Sequence, residues 1–338
     1  MNNELVSIII PTYNEEKYIS DCLNSVIEFD YPPEYIEIFV VDGMSKDSTR
    51  NIVSENYCKI YKNIKLIDNP KRTAPFAFNV GINHARGKYI IIIGAHSAYS
   101  KDYISKLVKW HHELDAYNIG GVMITDIRNK NKKTIAIEKV LSNKFGVGNA
   151  TFRTGTTEVK SVDTVAYGCY KKESFEKFGL FNVKLTRNQD IEFNKRIINA
   201  GGKIYIVPDV ECRYFARETY GGIANNNYEN GMWNILTVFY TQDFSSLSLR
   251  HFIPLFFVLS IILPALAAIF FYPLIFASLF FLTLYAGLIF TISLKINTKE
   301  TSFLHLIQTF FVLHFSYGIG SLAGILKLPF IALTKKHD

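Results

Sequence analysis

Gly87-Lys88-Tyr89-Ile90-Ile91-Ile92-Ile93-Gly94-Ala95-His96 is the stretch from which the fold can be read. Four consecutive isoleucines between a Gly-Lys and a Gly read as a short strand buried on both faces, as in a parallel sheet. In open α/β sheets, ligands bind outside the carboxyl ends of such strands. Gly94, Ala95 and His96, just past the last isoleucine, are therefore expected to face a ligand.

Upstream, Leu5-Val6-Ser7-Ile8-Ile9-Ile10-Pro11 reads as a first buried strand that Pro11 ends. Thr12-Tyr13-Asn14-Glu15-Glu16 follows, then apolar residues at helical spacing, with Asn14 as the expected N-cap and the glutamates suited to a helix start. Tyr31-Pro32-Pro33 closes that helix. Ile36-Glu37-Ile38-Phe39-Val40-Val41-Asp42 is a second strand, and Gly43 to Thr49 turns into a second helix. Strand–helix alternation of this kind implies right-handed crossovers and a parallel sheet. Asp42, at a strand's carboxyl end, reads either as a carboxylate accepting hydrogen bonds from a nucleotide base or ribose, or as an Asx turn or cap. Ile64 to Ile67 is a weak third strand. Lys71 and Arg72 follow in a loop before a helix with Pro75 at its first position, and read as phosphate neutralisers or as an exposed basic loop.

Downstream, Ser100-Lys101-Asp102 opens a helix, Ile119 to Thr125 is a strand, and Gly146 to Thr157 is a Gly/Thr-rich loop. The adjacent histidines His111 and His112 point different ways on a helix, which disfavours a joint metal site. Val162 to Tyr170 reads as a strand. Asp190 and Glu192 open a helix; two apart, they do not share a face and are unsuited to act as a hydrolase pair. Lys203 to Val207 and Glu211 to Phe215 are expected as two further short strands.

The 338-residue chain has no Asp, Glu, Lys or Arg from Phe252 to Leu294. About 20 apolar residues cross a membrane, so this run holds two helices with a break at Tyr272-Pro273. Another apolar stretch runs from Phe303 to Leu326. The N-terminus lacks the basic region and long apolar run of a signal peptide, which leaves the catalytic part in the cytosol by expectation. The four cysteines are far apart and read as reduced and structural. The net charge of +7 is spread along the chain and suits a domain beside an anionic leaflet; nucleic acid is not an expected partner. By the positive-inside rule the Lys295–Lys299 loop is cytosolic. One more full crossing would then put Lys335-Lys336-His337 outside, so the last stretch is re-entrant or interfacial, or the rule is violated.

The blocks Val6-Ser7-Ile8-Ile9-Ile10-Pro11-Thr12-Tyr13-Asn14-Glu15, Val40-Val41-Asp42-Gly43-Met44-Ser45-Lys46-Asp47-Ser48-Thr49, and Asn79-Val80-Gly81-Ile82 with Ala85-Arg86-Gly87-Lys88-Tyr89-Ile90 together resemble the family 2 glycosyltransferases of GT-A fold, in particular the branch of the succinoglycan glucosyltransferase ExoA. The resemblance covers about residues 4–240. It implies an α/β, Rossmann-like, mostly parallel catalytic domain (1–218), an amphipathic interfacial segment (219–250) and a transmembrane region of two to four helices (251–334). It also implies a nucleotide-diphosphate sugar donor, usually UDP-linked, a divalent metal (Mn²⁺ or Mg²⁺), and inversion at the anomeric carbon.

The same resemblance distributes roles. Pro11, Thr12, Asn14, Glu15, Asp42, Lys71, Arg72, Gly94 and Ala95 fall on the nucleotide-sugar side. His96 matches the metal-contacting end of an Asp-Ala-His signature whose first aspartate is here Gly94. Imidazole suits Mn²⁺ better than Mg²⁺, which prefers oxygen, and the missing carboxylate puts metal dependence in question. Asp190 matches the base that removes the acceptor proton. Gln189 replaces the usual glutamate, and Glu192, Arg217 and Trp233 are acceptor or orienting positions. The segment at Tyr228–Trp233 lacks the arginine of processive synthases. The expectation is a multi-pass, membrane-anchored inverting glycosyltransferase, acting on a lipid-linked saccharide in cell-surface polysaccharide assembly. The alternative is a non-catalytic nucleotide-sugar-binding subunit; a transporter is disfavoured, because the tail has no intramembrane Asp, Glu, Lys or Arg.

Overall fold

A computed structural model describes residues 3–334. The chain divides into two units. One is Met1–Thr125 with Ala150–Phe215; the other is Asp126–Asn149 with Ala216–Asp338. The Lys335-Lys336-His337 cluster lies outside the described residues.

The first unit is built on a nine-stranded sheet. Its strands are β1 (Val6–Thr12), β2 (Ile36–Asp42), β3 (Ile64–Asp68), β4 (Tyr89–Ile92), β5 (Ser97–Tyr99), β6 (Asn118–Asp126), β7 (Lys160–Ser161), β8 (Cys169–Lys171) and β9 (Ile204–Phe215). The order is β3-β2-β1-β4-β8-β6-β9-β5, with β7 on β9. The β3-β2-β1-β4 half is parallel, with Thr12 in register with Asp42. Past β4 the pairings β4–β8, β6–β8, β5–β9 and β7–β9 are antiparallel, so the sheet is mixed.

The isoleucine run behaves as its pattern predicts. Alternate side chains of a strand leave by opposite faces. Ile91 and Ile93 join Ile8, Ile10, Leu23 and Leu107 in one core, while Ile90 and Ile92 join Ile9, Phe78, Phe193 and Ile197 in the other. Burying each such side chain contributes roughly 1.5–3 kcal/mol, so this strand anchors both layers.

Four local expectations are corrected. Asn14 is not a helix cap: the helix is Ile19–Ile27 with Tyr18 at its N-cap position, and Asn14 sits in the left-handed region at φ 55°. Of the expected Val162–Tyr170 strand only Cys169 and Tyr170 fall in a strand, β8, because Tyr167 adopts φ 49°, which breaks a ladder. The two expected strands around Pro208 are one, β9. Pro208 falls between the residues paired with β7 (Tyr205, Ile206) and those paired with β5 (Cys212–Tyr214), where the missing N–H leaves both ladders intact. The Gly/Thr-rich loop is partly helical: it begins inside one single-turn helix, Lys144–Val147, and contains another, Thr151–Thr154.

His111 is a core residue. It stacks on Tyr89 with ring centroids 4.8 Å apart, its Nε2 lies 2.8 Å from the Cys169 carbonyl, and burial pushes its pKa down to about 4.

The second unit is helical. Helices Lys132–Leu141 and Tyr220–Thr241 accompany Ile253–Ala267, Ile275–Ile296 and Phe303–Thr334. Three spans, Leu249–Ala267, Tyr272–Ile296 and Phe303–Leu333, are long and apolar enough to cross a membrane, and the break falls at the Tyr272–Leu274 turn. Tyr220–Thr241 packs on Phe303–Thr334 backbone to backbone. A Cβ on Gly231 would lie 2.0 Å from the Tyr317 carbonyl oxygen, and one on Gly320 would lie 1.9 Å from that of Tyr228. Apolar helices associate through such small residues, since lipid offers no hydrophobic drive between them. Trp233, which stacks on Tyr240, and Arg217 both belong to this unit.

Candidate active site

The carboxyl ends of β1 and β2 are laced together by polar contacts. Asp42 is fully buried; its carboxylate accepts from Ser45 N (2.9 Å) and Ser45 Oγ (2.5 Å), and pairs with Arg50 at 2.7 Å. Arg50 also reaches Asp68 at 2.7 Å. Both readings of Asp42 bear on this geometry: its turn bonds to Ser45 are present, and the carboxylate is well occupied. Asn14 accepts from Lys46 N at 2.9 Å while its own N–H donates to Ser45 Oγ at 2.8 Å. Glu15 N–H donates to Thr49 Oγ1 at 2.7 Å. Pro11 pairs with Val41, and Thr12 Oγ1 donates to the Ile10 carbonyl. Lys71 and Arg72 are exposed, with Arg72 at φ 61°; among the described residues neither side chain has an ion pair.

Just past the end of β4 a cluster forms around His96. Glu15 Oε1 lies 3.1 Å from His96 Nδ1. A ring N–H at Nδ1 donated to Glu15 leaves Nε2 with its lone pair outward, the usual state of a metal-bound histidine backed by a carboxylate. His96 meets Tyr18 and Tyr214 edge-on at centroid distances of 6.1 and 5.5 Å. Gly94 is fixed through its backbone: its N–H donates to Tyr99 Oη at 2.8 Å. It has no room for a side chain, since a Cβ would lie 2.7 Å from Tyr167 Oη. Ala95 is buried.

Among the described residues no three His, Cys, Asp or Glu side chains converge into a metal cage. The set offered is His96 through Nε2, with Glu15 behind it. This fits a divalent cation only where the ligand's own phosphate oxygens complete the coordination, a common arrangement for such ions.

The Gln189–Asn199 helix carries the remaining expected residues. Its N-cap residue Asn188 is left-handed at φ 61°. Asp190 keeps a partial opening to solvent. Burial raises its pKa above the usual aspartate value, and the backbone N–H groups of Ile191 and of Asp190 itself pull it partly back. Gln189 Oε1 is buried without a protein partner. Glu192 points elsewhere: it pairs with Arg196 at 2.7 Å, and Arg196 donates to the Leu180 carbonyl at 2.8 Å. The two carboxylates therefore work separately, as their spacing requires. Four residues on from Asp190, on its helix face, buried Asn194 accepts from Asn118 (3.1 Å) and Tyr170 Oη (3.2 Å), and donates to Thr164 Oγ1 (2.9 Å).

Three residues at the site carry no motif. Tyr167 fills the space beside Gly94, Tyr214 packs on His96, and the Arg153 guanidinium lies 5.3 Å over the Tyr214 ring. Only the odd Gly94 hinted at a compensating neighbour.

The glycosyl transferase family 2 model matches residues 7–178. A dolichyl N-acetyl-alpha-D-glucosaminyl phosphate 3-beta-D-2,3-diacetamido-2,3-dideoxy-beta-D-glucuronosyltransferase of Methanococcus voltae is 32% identical over 336 residues, covering 95% of this chain and 97% of that protein. The succinoglycan biosynthesis protein ExoA of Rhizobium meliloti is 26% identical over 212 residues, 62% of this chain and 63% of its own length. Among solved structures, the mannosyltransferase PcManGT of Pyrobaculum calidifontis, in complex with GDP-Man and Mn²⁺, superposes with a TM-score of 0.57 at 18% identity, covering 97% of this chain and 87% of that one. The fold, the motif blocks and these likenesses agree: the chain is a glycosyltransferase and belongs to glycosyl transferase family 2.

Proposed function

We propose that the protein is a membrane-anchored inverting glycosyltransferase that moves one sugar from a nucleotide-diphosphate sugar, UDP-linked by preference, to a lipid-linked saccharide in cell-surface glycan assembly. The near full-length relative is named for a dolichyl phosphate-linked acceptor, and three apolar helices suit a multi-pass anchor with the catalytic unit in the cytosol. The observation that carries the reading is Asp190: a carboxyl group without an ion pair among the described residues, at a helix start, with its proton affinity raised by burial.

The acceptor hydroxyl attacks the anomeric carbon as its proton passes to Asp190. The bond from that carbon to the diphosphate oxygen breaks, and its electron pair leaves with the diphosphate. One displacement with one base inverts the anomeric configuration. Burial suits Asp190 to the task, since a base of raised pKa takes the proton more readily. Gln189 Oε1, buried with no hydrogen-bond partner among the described residues, would accept from the incoming sugar. Thr12, Asn14 and Asp42 would shape the nucleotide side, and Lys71 and Arg72, exposed in the loop after β3, would meet the phosphates. His96 and Glu15 would hold a divalent cation, which when bound supplies charge to the departing diphosphate.

The test is nucleotide release from a panel of UDP- and GDP-sugars by detergent-purified protein, with membrane lipid extract as acceptor, beside Asp190→Asn. Turnover that collapses in the variant is expected. Donor binding without turnover in any extract would move the reading to a non-catalytic binding subunit.

A further inference from the structure

The motif that should hold charge against the leaving diphosphate has lost its first carboxylate, and the position cannot take one back. A Cβ on Gly94 would lie 2.7 Å from Tyr167 Oη, 2.9 Å from Cε1 and 3.0 Å from Cζ. Tyr167 is held there from several sides. Ser97 Oγ donates to its Oη at 2.8 Å, Tyr103 Oη donates to its carbonyl at 2.8 Å, and its ring meets Tyr99 at 5.6 Å. Its backbone stays at φ 49°, a conformation that costs a non-glycine residue about 1 kcal/mol or more and persists only where the surroundings enforce it. With Ser97 donating to it, the Tyr167 hydroxyl keeps its own hydrogen to offer.

A cation whose charge reaches Tyr167 is Arg153. Its guanidinium lies 5.3 Å over the Tyr214 ring, and that ring meets His96 at 5.5 Å. It also lies 5.9 Å from the Phe152 ring. Among the described residues no carboxylate pairs with it. Its charge reaches Tyr167 and Cys212, opposing the rise that burial imposes on both. An arginine packed on aromatics, uncommitted to an acid among the described residues and one ring removed from the motif histidine, has its planar fork available for a phosphate.

We propose that Arg153 is the protein's own cation for the departing diphosphate, with Tyr167 closing the place of the missing carboxylate and donating its hydroxyl hydrogen beside it. This rests on the nucleotide-diphosphate donor read above. As the anomeric carbon–oxygen bond breaks, negative charge grows on the leaving phosphate oxygen, and a fixed cation there lowers the barrier. The consequence is a chain that retains diphosphate affinity when divalent cations are removed.

Binding of UDP, GDP and their free nucleosides to the full-length protein in detergent, with chelator and with Mn²⁺, tests this alongside turnover. Arg153→Ala should weaken diphosphate binding in chelator by about tenfold or more, leave nucleoside binding unchanged, and lower kcat roughly 100-fold. Arg153→Gln, which keeps the stem on Tyr214, should show the same loss, and Arg153→Lys should recover part of it. Diphosphate binding in chelator that is equal in wild type and Arg153→Ala overturns the proposal and leaves the donor reading standing. Wild-type protein that binds nucleosides no more weakly than their diphosphates under both conditions overturns both.

Discussion

Asp42, at the end of β2, and Asp190, at the start of the Gln189–Asn199 helix, are both enclosed carboxylates with opposite surroundings. Asp42 is fully covered and spends its oxygens on Ser45 and Arg50, which in turn reaches Asp68. Asp190 has backbone N–H groups and, among the described residues, no ion pair, and its pKa is raised. The contrast separates scaffold from chemistry. A carboxylate with saturated partners fixes a loop, and one left short of partners retains affinity for a proton. Glu192, two residues on, repeats the lesson on one helix: it is tied to Arg196 and fixes the helix rather than the reaction.

The contrast breaks first if Asp190→Asn stays active. Turnover should fall by about 10³-fold or more, within the range of general-base removal. The same variant should be no less heat-stable than wild type. A raised folded-state pKa means that folding favours the protonated form. Its stabilising contribution is complete below the unfolded pKa and is lost as pH rises through the folded one. At neutral pH an ionised Asp190 therefore opposes folding, and the neutral amide removes that cost. A drop in melting temperature would make Asp190 part of the scaffold. For the same reason the acid limb of the wild-type kcat profile should lie above the ordinary aspartate range; a limb within that range would remove burial as the tuning device.

Asp42→Asn should act in the opposite sense, costing roughly 3 kcal/mol in denaturant unfolding, because it leaves Arg50 short of a buried partner. An unchanged midpoint would show that Asp68 alone satisfies Arg50. Glu192→Gln should cost about 1–2 kcal/mol and leave kcat within threefold of wild type. A large kcat loss at full stability would give Glu192 a share in the chemistry. Gly94→Ala is the finest probe. Overpacking against Tyr167 should cost roughly 1–2 kcal/mol, and that cost should vanish in a Tyr167→Ala background. Equal costs in the two backgrounds would mean that Tyr167 does not fill the space.

Much of the fold was legible because its signals are local. The isoleucine run at 90–93 and the charge-free stretch before Lys295 each declare an element within a few residues; Pro11, expected to end the first strand, instead lies inside β1, in register with Val41 and followed by paired Thr12. The errors fell where distant contacts override local preference. Tyr167 looks like the middle of a strand, yet Tyr103, Ser97 and Tyr99 hold it in a left-handed turn. Asn14 looks like a cap, yet Ser45 and Lys46, about thirty residues on, claim both its backbone and its side chain.

The sequence by itself determined the family and the parallel direction of the first four strands, and singled out His96 and Asp190 as the residues to watch, because motif blocks and hydrophobic period are one-dimensional quantities. Only the tertiary structure decided that Glu15 stands behind His96, that Glu192 is spent on Arg196, and that Tyr167 and Arg153 occupy the surroundings of a glycine. Apart from the Glu192–Arg196 pair, which lies four residues apart on one helix, those facts depend on which side chains meet across about 60 to 80 residues of chain, and no spacing rule encodes which of several available partners a charge will find.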